Sequence, residues 1–329
     1  MKAIVCTRYG PPEVLRLTEV ERPIPRRNQI RIRIFATSVS FSDILVRGMN
    51  VPRRYRIPFR LLAGWKAPRR RILGMVLSGD VESIGRNVTS FKVGDQIFGM
   101  SRWKVGAYAE EVCWSANTLL AFRPKNLSDE EAAALPYGGL LAIHCLRKAK
   151  IQPGQRVLVY GASGAIGTAA VQLARHFGAS VTGVCSTTNL KLVESLGAEA
   201  VLDYTREDFT SRGERYDVIL DAVGKRKSAA AMRDAERALT TGGTCISIDD
   251  DFPRPTQQDL DLLKRLAESG VLKPVIDRCY PLEEIVEAHR YVELGHKKGN
   301  VIVTVGPSAH RGMNFPRNRC DSVSRAPSL

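Results

Sequence analysis

The chain has 329 residues, of which 44% are hydrophobic and 25% charged, a composition typical of a globular chain long enough for two domains. No apolar run approaches the length of a membrane span, and the first residues lack the apolar core of a secretory signal, so we expect a cytoplasmic protein. The seven cysteines are scattered without CxxC spacing, which argues against a disulfide framework and a cysteine-rich zinc site.

The net charge of +15 comes largely from two basic segments. The first contains Arg53, Arg54, Arg56, Arg60, Lys66, Arg69, Arg70 and Arg71. The C-terminal tail adds Arg311, Arg317, Arg319 and Arg325. Such a charge attracts nucleic acid, anionic lipid or a phosphorylated ligand. The alternative is a solvated face followed by a basic tail.

Residues 1–125 are predicted to be rich in β-structure. Apolar runs, some of them alternating, predict strands at Lys2–Thr7, Gln29–Ala36, Gly79–Ile84 and Gln96–Phe98. Glycine and proline turns separate these strands, a pattern typical of a small barrel or sandwich. The first basic segment interrupts this region as a loop.

Two helices are predicted next. Ser128 and Glu131 have the spacing of a capping box, so a helix over Glu130–Leu135 should end before Pro136. Leu140–Lys148 has the pattern of a second helix.

Strands and helices then alternate, which predicts a doubly wound parallel sheet. The predicted strands are Val157–Tyr160, Val181–Cys185, Ala200–Asp203, Asp217–Asp221 and Thr244–Ile248. The predicted helices are Leu190–Leu196, Ala229–Leu239 and one capped by Thr256 that runs to Ser269. A strand at Val275–Tyr280, a helix at Leu282–Leu294 and a strand at Val301–Val305 follow. The basic tail 306–329 has no periodicity and is predicted to be disordered.

The predicted parallel sheet stops at five strands. Only Asp249–Pro255 separates the fifth strand from the next helix, and a parallel crossover needs a dozen or more residues. We therefore expect Thr244–Ile248 or its neighbour to be an uncovered edge strand, a feature that favours unwanted pairing.

The glycine loop Gly161–Gly167 is the strongest functional motif. It joins a predicted strand to an Ala-rich helical segment, so its backbone N–H groups are placed to bind phosphate. We assign the loop residues Gly161, Ser163, Gly164, Ala165, Ile166 and Gly167 to a dinucleotide. Gly164 would let the backbone approach a pyrophosphate, and Gly167 would let the helix pack close to the sheet. The alternative is a tight structural turn.

The end of the second parallel strand favours NADP(H) over NAD(H). An Asp or Glu at this point binds the ribose 2′-hydroxyl of NAD, whereas this chain has Cys185-Ser186-Thr187-Thr188-Asn189 with Lys191 beyond. Ser186 and Thr187 can donate hydrogen bonds to a 2′-phosphate, and no carboxylate repels it. The alternative, that one of these hydroxyls caps the next helix, is compatible with that function.

Zinc, hydrolase and P-loop chemistry are not indicated. His144, His176, His289, His296 and His310 are isolated from other candidate ligands, and HExxH, GxSxG and Walker motifs are absent.

Residues 1 to about 305 resemble the medium-chain dehydrogenase/reductases, in the zinc-independent, zeta-crystallin-like quinone oxidoreductase branch. The resemblance rests on the segments MKAIVCTRYGPPEVL, ILGMVLSGDVESIG, FKVGDQIFGM, GAYAEEV, LSDEEAAALPYGGLLAIHCL, the glycine loop, YDVILDAVG and PVIDRCYPLEEIVEAHRYVELGHKKGNVIV. It implies an α/β protein in which a Rossmann NADP-binding domain, 126–270, is inserted in a GroES-like substrate domain, 1–125 completed by 271–305.

The resemblance also implies an activity. NADPH would transfer hydride to a quinone or an α,β-unsaturated carbonyl in the cleft between the domains, without a metal. Ser40 and Asp43 match polar positions near the nicotinamide, although Asp43 is equally compatible with a helix-capping carboxylate. Tyr204, Val223 and Asn300 match cofactor positions, and Asn300 replaces a frequent lysine.

Zinc ligands of related enzymes are missing, because the matching stretches are Ser40-Phe41-Ser42-Asp43 and Gly74-Met75-Val76. Leu141 replaces a frequent threonine, and Asp249-Asp250-Asp251 replaces a glycine-rich loop. The missing sixth strand commonly forms the family's dimer edge, so a homodimer is doubtful. The alternative function is therefore a catalytically weak or inactive NADPH-binding protein that binds RNA or another anionic partner through its basic loop.

Overall fold

The computed structural model describes residues 1–51, 57–58, 60–61, 63–101 and 104–306, and the predicted disorder of the tail falls outside this part of the chain apart from Gly306. Seven strands form a mixed sheet, namely β3 Gln29–Val39, β4 Val76–Ile84, β5 Gln96–Met100, β6 Glu111–Ser115, β7 Leu119–Phe122, β13 Ile276–Pro281 and β14 Asn300–Thr304. Their order across the sheet is β13-β14-β3-β4-β5-β7, with β6 paired to β3. A separate antiparallel pair contains β1 Lys2–Cys6 and β2 Leu15–Glu19.

The period of the sequence explains β3, the central strand of this sheet. Ile30, Ile32 and Ile34 are buried while Arg31 and Arg33 lie on the more accessible face. Strands β1, β3, β4 and β5 confirm the predictions for this region. The sequence-based prediction lacks β2, β6 and β7, which are only four or five residues long.

The second sheet is parallel, and its strands are β8 Arg156–Tyr160, β9 Ser180–Cys185, β10 Ala200–Asp203, β11 Tyr216–Asp221 and β12 Leu239–Ser247. They have the Rossmann-like order β10-β9-β8-β11-β12. The prediction of five parallel strands is confirmed. The chain passes from β12 to the helix Gln257–Glu268 without another strand, so β12 has a strand partner on one side only within the described residues.

The helices are Phe41–Gly48, Asp129–Ala134, Pro136–Lys148, Ala165–His176, Leu190–Ser195, Lys225–Met232, Gln257–Glu268 and Ile285–Leu294. Short 3₁₀ turns cover Pro12–Val14, Thr187–Asn189, Phe209–Ser211, Ala235–Ala238 and Leu282–Glu284. The capping boxes of Ser128 with Glu131 and of Thr256 with Asp259 are present. Pro136 begins a helix, four residues before the predicted start at Leu140, because proline lacks an N–H that the first helical turn would leave unpaired. Within the described part of the chain, no helix is both long and apolar enough to span a bilayer.

The predicted helix Ala229–Leu239 is wrong at both ends. The buried Asp221 carboxylate accepts hydrogen bonds from the backbone of Val223 and Gly224 and from the Ser228 hydroxyl, so the helix begins at Lys225. At the other end Leu239 already pairs with Tyr216 in the sheet. The register of the pairing shifts between Tyr216 and Val218, so the residues between Leu239 and Thr244 fit within the strand. The sequence pattern alone places the start of this strand at Thr244.

Candidate active site

A cleft of about 530 Å³ lies where the carboxyl ends of the parallel strands face the helix Phe41–Gly48 and the segment after the helix Ile285–Leu294. This is the edge at which doubly wound sheets bind their ligands. Eight of the twelve predicted cofactor residues line it, namely Gly161, Ser163, Gly164, Ala165, Ile166, Ser186, Tyr204 and Val223. Gly167, Thr187, Lys191 and Asn300 are outside this lining.

The glycine loop presents a helix N-terminus to the cleft. Gly161 has a left-handed φ of 80° and, with Ala162, donates backbone hydrogen bonds to Val184, which fixes the turn at the end of β8. Gly164 is the N-cap of the helix Ala165–His176, and no side chain caps this end. A Cβ atom on Gly164 would meet only the Gly161 carbonyl oxygen, at 3.5 Å, so the backbone is open to a ligand. The first helical N–H groups can therefore bind an anionic group.

Gly167 has the packing function that the sequence predicts. A Cβ atom at this position would lie 2.1 Å from the Gly161 carbonyl oxygen and 2.7 Å from Ala162 Cα. The absence of a side chain therefore lets the helix lie directly against the loop.

Hydroxyl groups line the next part of the cleft. Ser186 Oγ and Thr188 Oγ1 are 3.4 Å apart. The buried Asn189 amide donates to Ser186 Oγ at 3.1 Å and to Ser163 Oγ at 3.2 Å, so it ties the end of β9 to the glycine loop. These contacts give two hydroxyls, Ser186 and Thr188, fixed positions facing an incoming ligand.

Thr187 has a different contact. Its hydroxyl donates to the Asp203 carboxylate at the end of β10 and thereby lowers the pKa of Asp203, to which the Thr205 hydroxyl also donates. Arg206 pairs with the same carboxylate at 3.5 Å. The negative charge of Asp203 is therefore already stabilised by hydrogen bonds and an ion pair within the protein.

Three basic residues also line the cleft, and the sequence did not assign any of them to the cofactor site. Lys227, His296 and Lys297 all contribute to the lining. Lys297 is half-buried, and burial lowers its pKa to about 8, so it is largely cationic at neutral pH. Its Nζ donates to the Gly299 carbonyl oxygen at 2.5 Å. The pair Lys297-Lys298 before a glycine and the final strand is the signal that would have identified this residue.

Asn300, which the resemblance places near the cofactor, lies outside the lining of the cleft. Its side-chain amide donates to the Val275 carbonyl at 3.1 Å. The neighbouring Gly299 N–H donates to the Ser163 carbonyl at 2.7 Å. The glycine loop and the last strand are thus joined by backbone, and the lysine near the cleft is Lys297.

Ser40 and Asp43 form a buried capping box at the start of the helix Phe41–Gly48. Ser40 Oγ donates to Asp43 Oδ2 at 2.5 Å, and Asp43 N donates back to Ser40 Oγ at 3.3 Å. The capping function weighed for Asp43 is therefore present. This helix also brings Phe41 to the cleft and places Ser42 Oγ 3.1 Å from the hydroxyl of Tyr137, another lining residue that the sequence did not reveal.

The environment of Asp43 predicts a pH-dependent stability. Burial raises its pKa to about 6, although hydrogen bonds from Ser40 oppose this shift. The folded protein therefore binds a proton more tightly than the unfolded chain, and stability falls by up to about 3 kcal/mol as pH rises from about 4 to about 6. We expect Asp43→Asn to remove this decline, so that urea unfolding favours the variant progressively over this interval. Parallel profiles for the variant and the wild type would contradict this explanation.

All three aspartates after β12 lie outside the lining of the cleft, and two of them pair with basic side chains. Asp250 Oδ1 lies 2.7 Å from Lys225 Nζ, and Asp251 contacts His144 at 2.8 Å and Lys148 at 3.2 Å. Asp249 is also absent from the lining, whereas Ile248 contributes to it. The acidic loop therefore adds little repulsion against an anionic ligand.

The residues at the zinc positions of related enzymes do not fit a zinc ion. The Ser40 hydroxyl and the Asp43 carboxylate are consumed by the capping box, and the second stretch supplies Met75 and Val76 in place of imidazole and carboxylate. No cluster of three or more His, Cys, Asp or Glu suited to a metal occurs in the residues that the structure describes.

Comparisons with known proteins agree with this geometry. Residues 26–124 match the alcohol dehydrogenase GroES-like domain, and residues 165–262 and 251–303 match zinc-binding dehydrogenases. A 2-methylene-furan-3-one reductase from Solanum lycopersicum is 33% identical over 92% of this chain and 79% of its own length. The mouse NAD(P)H oxidoreductase RTN4IP1, mitochondrial, is 32% identical over 93% of this chain and 89% of its own length.

Solved structures give the same result. The quinone oxidoreductase from Coxiella burnetii superimposes with a TM-score of 0.79 at 27% identity, covering 93% of this chain and 99% of that protein. The resemblance inferred from the sequence is confirmed, and the chain belongs to the medium-chain dehydrogenase/reductase superfamily, in its quinone oxidoreductase-like branch.

Proposed function

We propose that this chain is an NADPH-dependent oxidoreductase that reduces a quinone or an α,β-unsaturated carbonyl. The observation that carries the proposal is the open helix N-terminus at Gly164, flanked by the hydroxyls of Ser186 and Thr188 and faced by Lys297. The names of the relatives, an enone reductase, NAD(P)H oxidoreductases and quinone oxidoreductases, support the same chemistry.

The donor groups of the cleft fit a phosphorylated dinucleotide. The N–H groups of Ala165 and Ile166 would hold the pyrophosphate, while Ser186 and Thr188 would bind the 2′-phosphate. Lys297 would add positive charge at neutral pH. When bound, the reduced nicotinamide supplies the hydride. Thr187, Lys191 and Asn300 stay predictions as direct cofactor contacts.

The chain would contribute a proton donor to the reaction. Reduction of a quinone or an enone leaves an oxygen that gains negative charge, and a phenol can stabilise or protonate it. Tyr137 is buried at the cleft, and burial raises its pKa, so its hydroxyl stays protonated at neutral pH. Ser42 orients that hydroxyl at 3.1 Å. We assign Ser40 and Asp43 to positioning, since their capping box holds the helix that carries Ser42.

The direct test is NADPH oxidation measured with a panel of quinones and enones, with and without a metal chelator. We expect turnover with at least one acceptor and no effect of the chelator. A folded protein that binds NADPH but reduces no acceptor would instead support the alternative, a catalytically weak or inactive NADPH-binding protein. The exposed basic residues Arg69, Arg70 and Arg71 favour that candidate's binding of an anionic partner.

Tyr137→Phe is expected to lower kcat by about 100-fold with little change in the KM for NADPH, because it removes the proton donor without changing the volume of the ring. Steady-state kinetics with the best acceptor would measure this. Tyr160→Phe is the matched control, since Tyr160 also lines the cleft, and we expect its kcat to stay close to that of the wild type. Equal effects of the two substitutions would remove Tyr137 from the proposed reaction.

Three broader assignments complete the proposal. We propose one domain that comprises 1–125 and 271–305 and a second domain that comprises 126–270. We also propose a cytoplasmic location, although relatives include mitochondrial and chloroplastic proteins.

A homodimer through the parallel sheet is disfavoured because β12 takes the place of the sixth strand at the edge. Sedimentation velocity of the pure protein would measure the oligomeric state.

A further inference from the structure

A second surface, separate from the cleft, combines basic and exposed apolar side chains. The sequence has no acidic residue between Asp43 and Asp80, whereas it has nine basic residues there. We call this region the basic apolar surface, and its members within the described residues are Ile57, Arg60, Leu61, Trp65, Lys66, Arg69, Arg70 and Arg71. None of these residues lines the cleft.

The apolar members of this surface are largely exposed to solvent. Ile57, Leu61 and Trp65 are 65%, 63% and 58% exposed, respectively. Ile57 and Leu61 both have helical backbone and are four residues apart, so they lie on the same face of their turn. Neighbouring exposed apolar side chains of this size mark an interaction site more often than an isolated one does.

Basic groups are interleaved with these apolar groups. The Arg69 guanidinium donates to the Leu61 carbonyl at 2.9 Å, and the Arg60 guanidinium lies 5.7 Å from the centre of the Trp65 ring. Tyr9 Oη donates to the Gly64 carbonyl at 2.9 Å, which fastens the surface to the N-terminal part of the fold. Positive charge and apolar area are therefore presented together.

We propose that the basic apolar surface binds the face of an anionic phospholipid membrane. Arginine and lysine would contact the headgroups, and Ile57, Leu61 and Trp65 would enter the boundary between headgroups and acyl chains, where tryptophan is favoured. A nucleic acid would satisfy the charges, but its bases stack mainly on aromatic rings, so the two aliphatic side chains would contribute less than they would at a membrane. The combination thus favours a membrane over RNA.

Sedimentation of the full chain with lipid vesicles tests the proposal. We expect binding to vesicles of phosphatidylcholine mixed with phosphatidylserine, little binding to phosphatidylcholine alone, and weakening by salt. The double variant Arg70→Gln/Arg71→Gln should lower the partition coefficient by about 30-fold. The matched control Arg86→Gln/Lys92→Gln, which removes two exposed charges elsewhere on the β-rich half, should change it by less than about 3-fold.

The apolar contribution has its own readout. Vesicles with brominated acyl chains should quench the tryptophan fluorescence of the wild type, and Trp65→Ala should lose most of that quenching. Absence of vesicle binding by the wild type would overturn the proposal. An equal loss of vesicle binding in the two double variants would show that the attraction depends on net charge and not on this surface. That result would also overturn the proposal. Tight binding to an RNA oligonucleotide, weakened by Arg70→Gln/Arg71→Gln in the absence of vesicle binding, would assign the surface to RNA instead.

Discussion

Gly164→Asp is expected to weaken NADPH binding by at least about 100-fold while the nucleotide-free protein stays as stable as the wild type or becomes slightly more stable. Aspartate is a favourable N-cap, and its charge complements the positive end of the helix Ala165–His176. The backbone of Gly164 is extended, with φ of −78°, and the site has room for a side chain. The same carboxylate would occupy the helical N–H groups and repel a phosphate.

Fluorescence titration with NADPH and urea unfolding measure the two effects separately. Gly164→Asn is the matched control, since it has the same size without the charge, and we expect it to weaken binding by about 10-fold. Gly167→Ala should show the opposite pattern: its Cβ would clash with the Gly161 carbonyl, so it should lower the free energy of unfolding by about 1–3 kcal/mol. Unchanged NADPH affinity in Gly164→Asp would place the nucleotide elsewhere.

Ser186→Asp is expected to reverse the preference between the two nicotinamide cofactors. A carboxylate at this position repels a 2′-phosphate and can accept hydrogen bonds from the ribose hydroxyl of NADH, so the ratio of NADPH to NADH affinity should fall by about 100-fold or more. Ser186 lines the cleft and is held there by Asn189, so the new carboxylate would lie in the same place.

The ratio of dissociation constants for the two cofactors is the measurement. Ser186→Asn keeps the size of the side chain without the charge, and we expect it to change the ratio by less than about 5-fold. If both variants change the ratio equally, the charge at this position does not select the cofactor, and Thr188 or Lys297 becomes the stronger candidate.

Local sequence rules predicted the parts of this protein that are specified by neighbouring residues. The glycine spacing predicted the loop, the capping box at Ser128 and the N-cap Thr256 predicted two helix starts, and strand–helix alternation predicted five parallel strands. Even the missing sixth strand was predictable, since the seven residues of Asp249–Pro255 cannot contain a crossover.

Long-range contacts account for what local rules missed. Lys297 reaches the cleft because the last strand pairs with β3 and its preceding glycine is bonded to Ser163, far away in the chain. Tyr137 lies between the two helices that the sequence predicts at Glu130–Leu135 and Leu140–Lys148, and only the fold brings Ser42 within 3.1 Å of its hydroxyl. The helix after β11 starts early because buried Asp221 collects four donors, from Val223, Gly224, Ser228 and Ser247, an arrangement without a local sequence signature.

The backbone bond between Gly299 and Ser163 has a thermodynamic consequence. It joins the loop at the head of the Rossmann-like sheet to the strand that completes the other sheet, and Gln172 adds reciprocal hydrogen bonds with Lys273 nearby. A ligand bound to the glycine loop therefore stabilises a contact that connects the two halves. By mass action its binding energy protects the β-rich half as well, so saturation with nucleotide should raise a single melting transition and slow proteolysis on both sides of the cleft together.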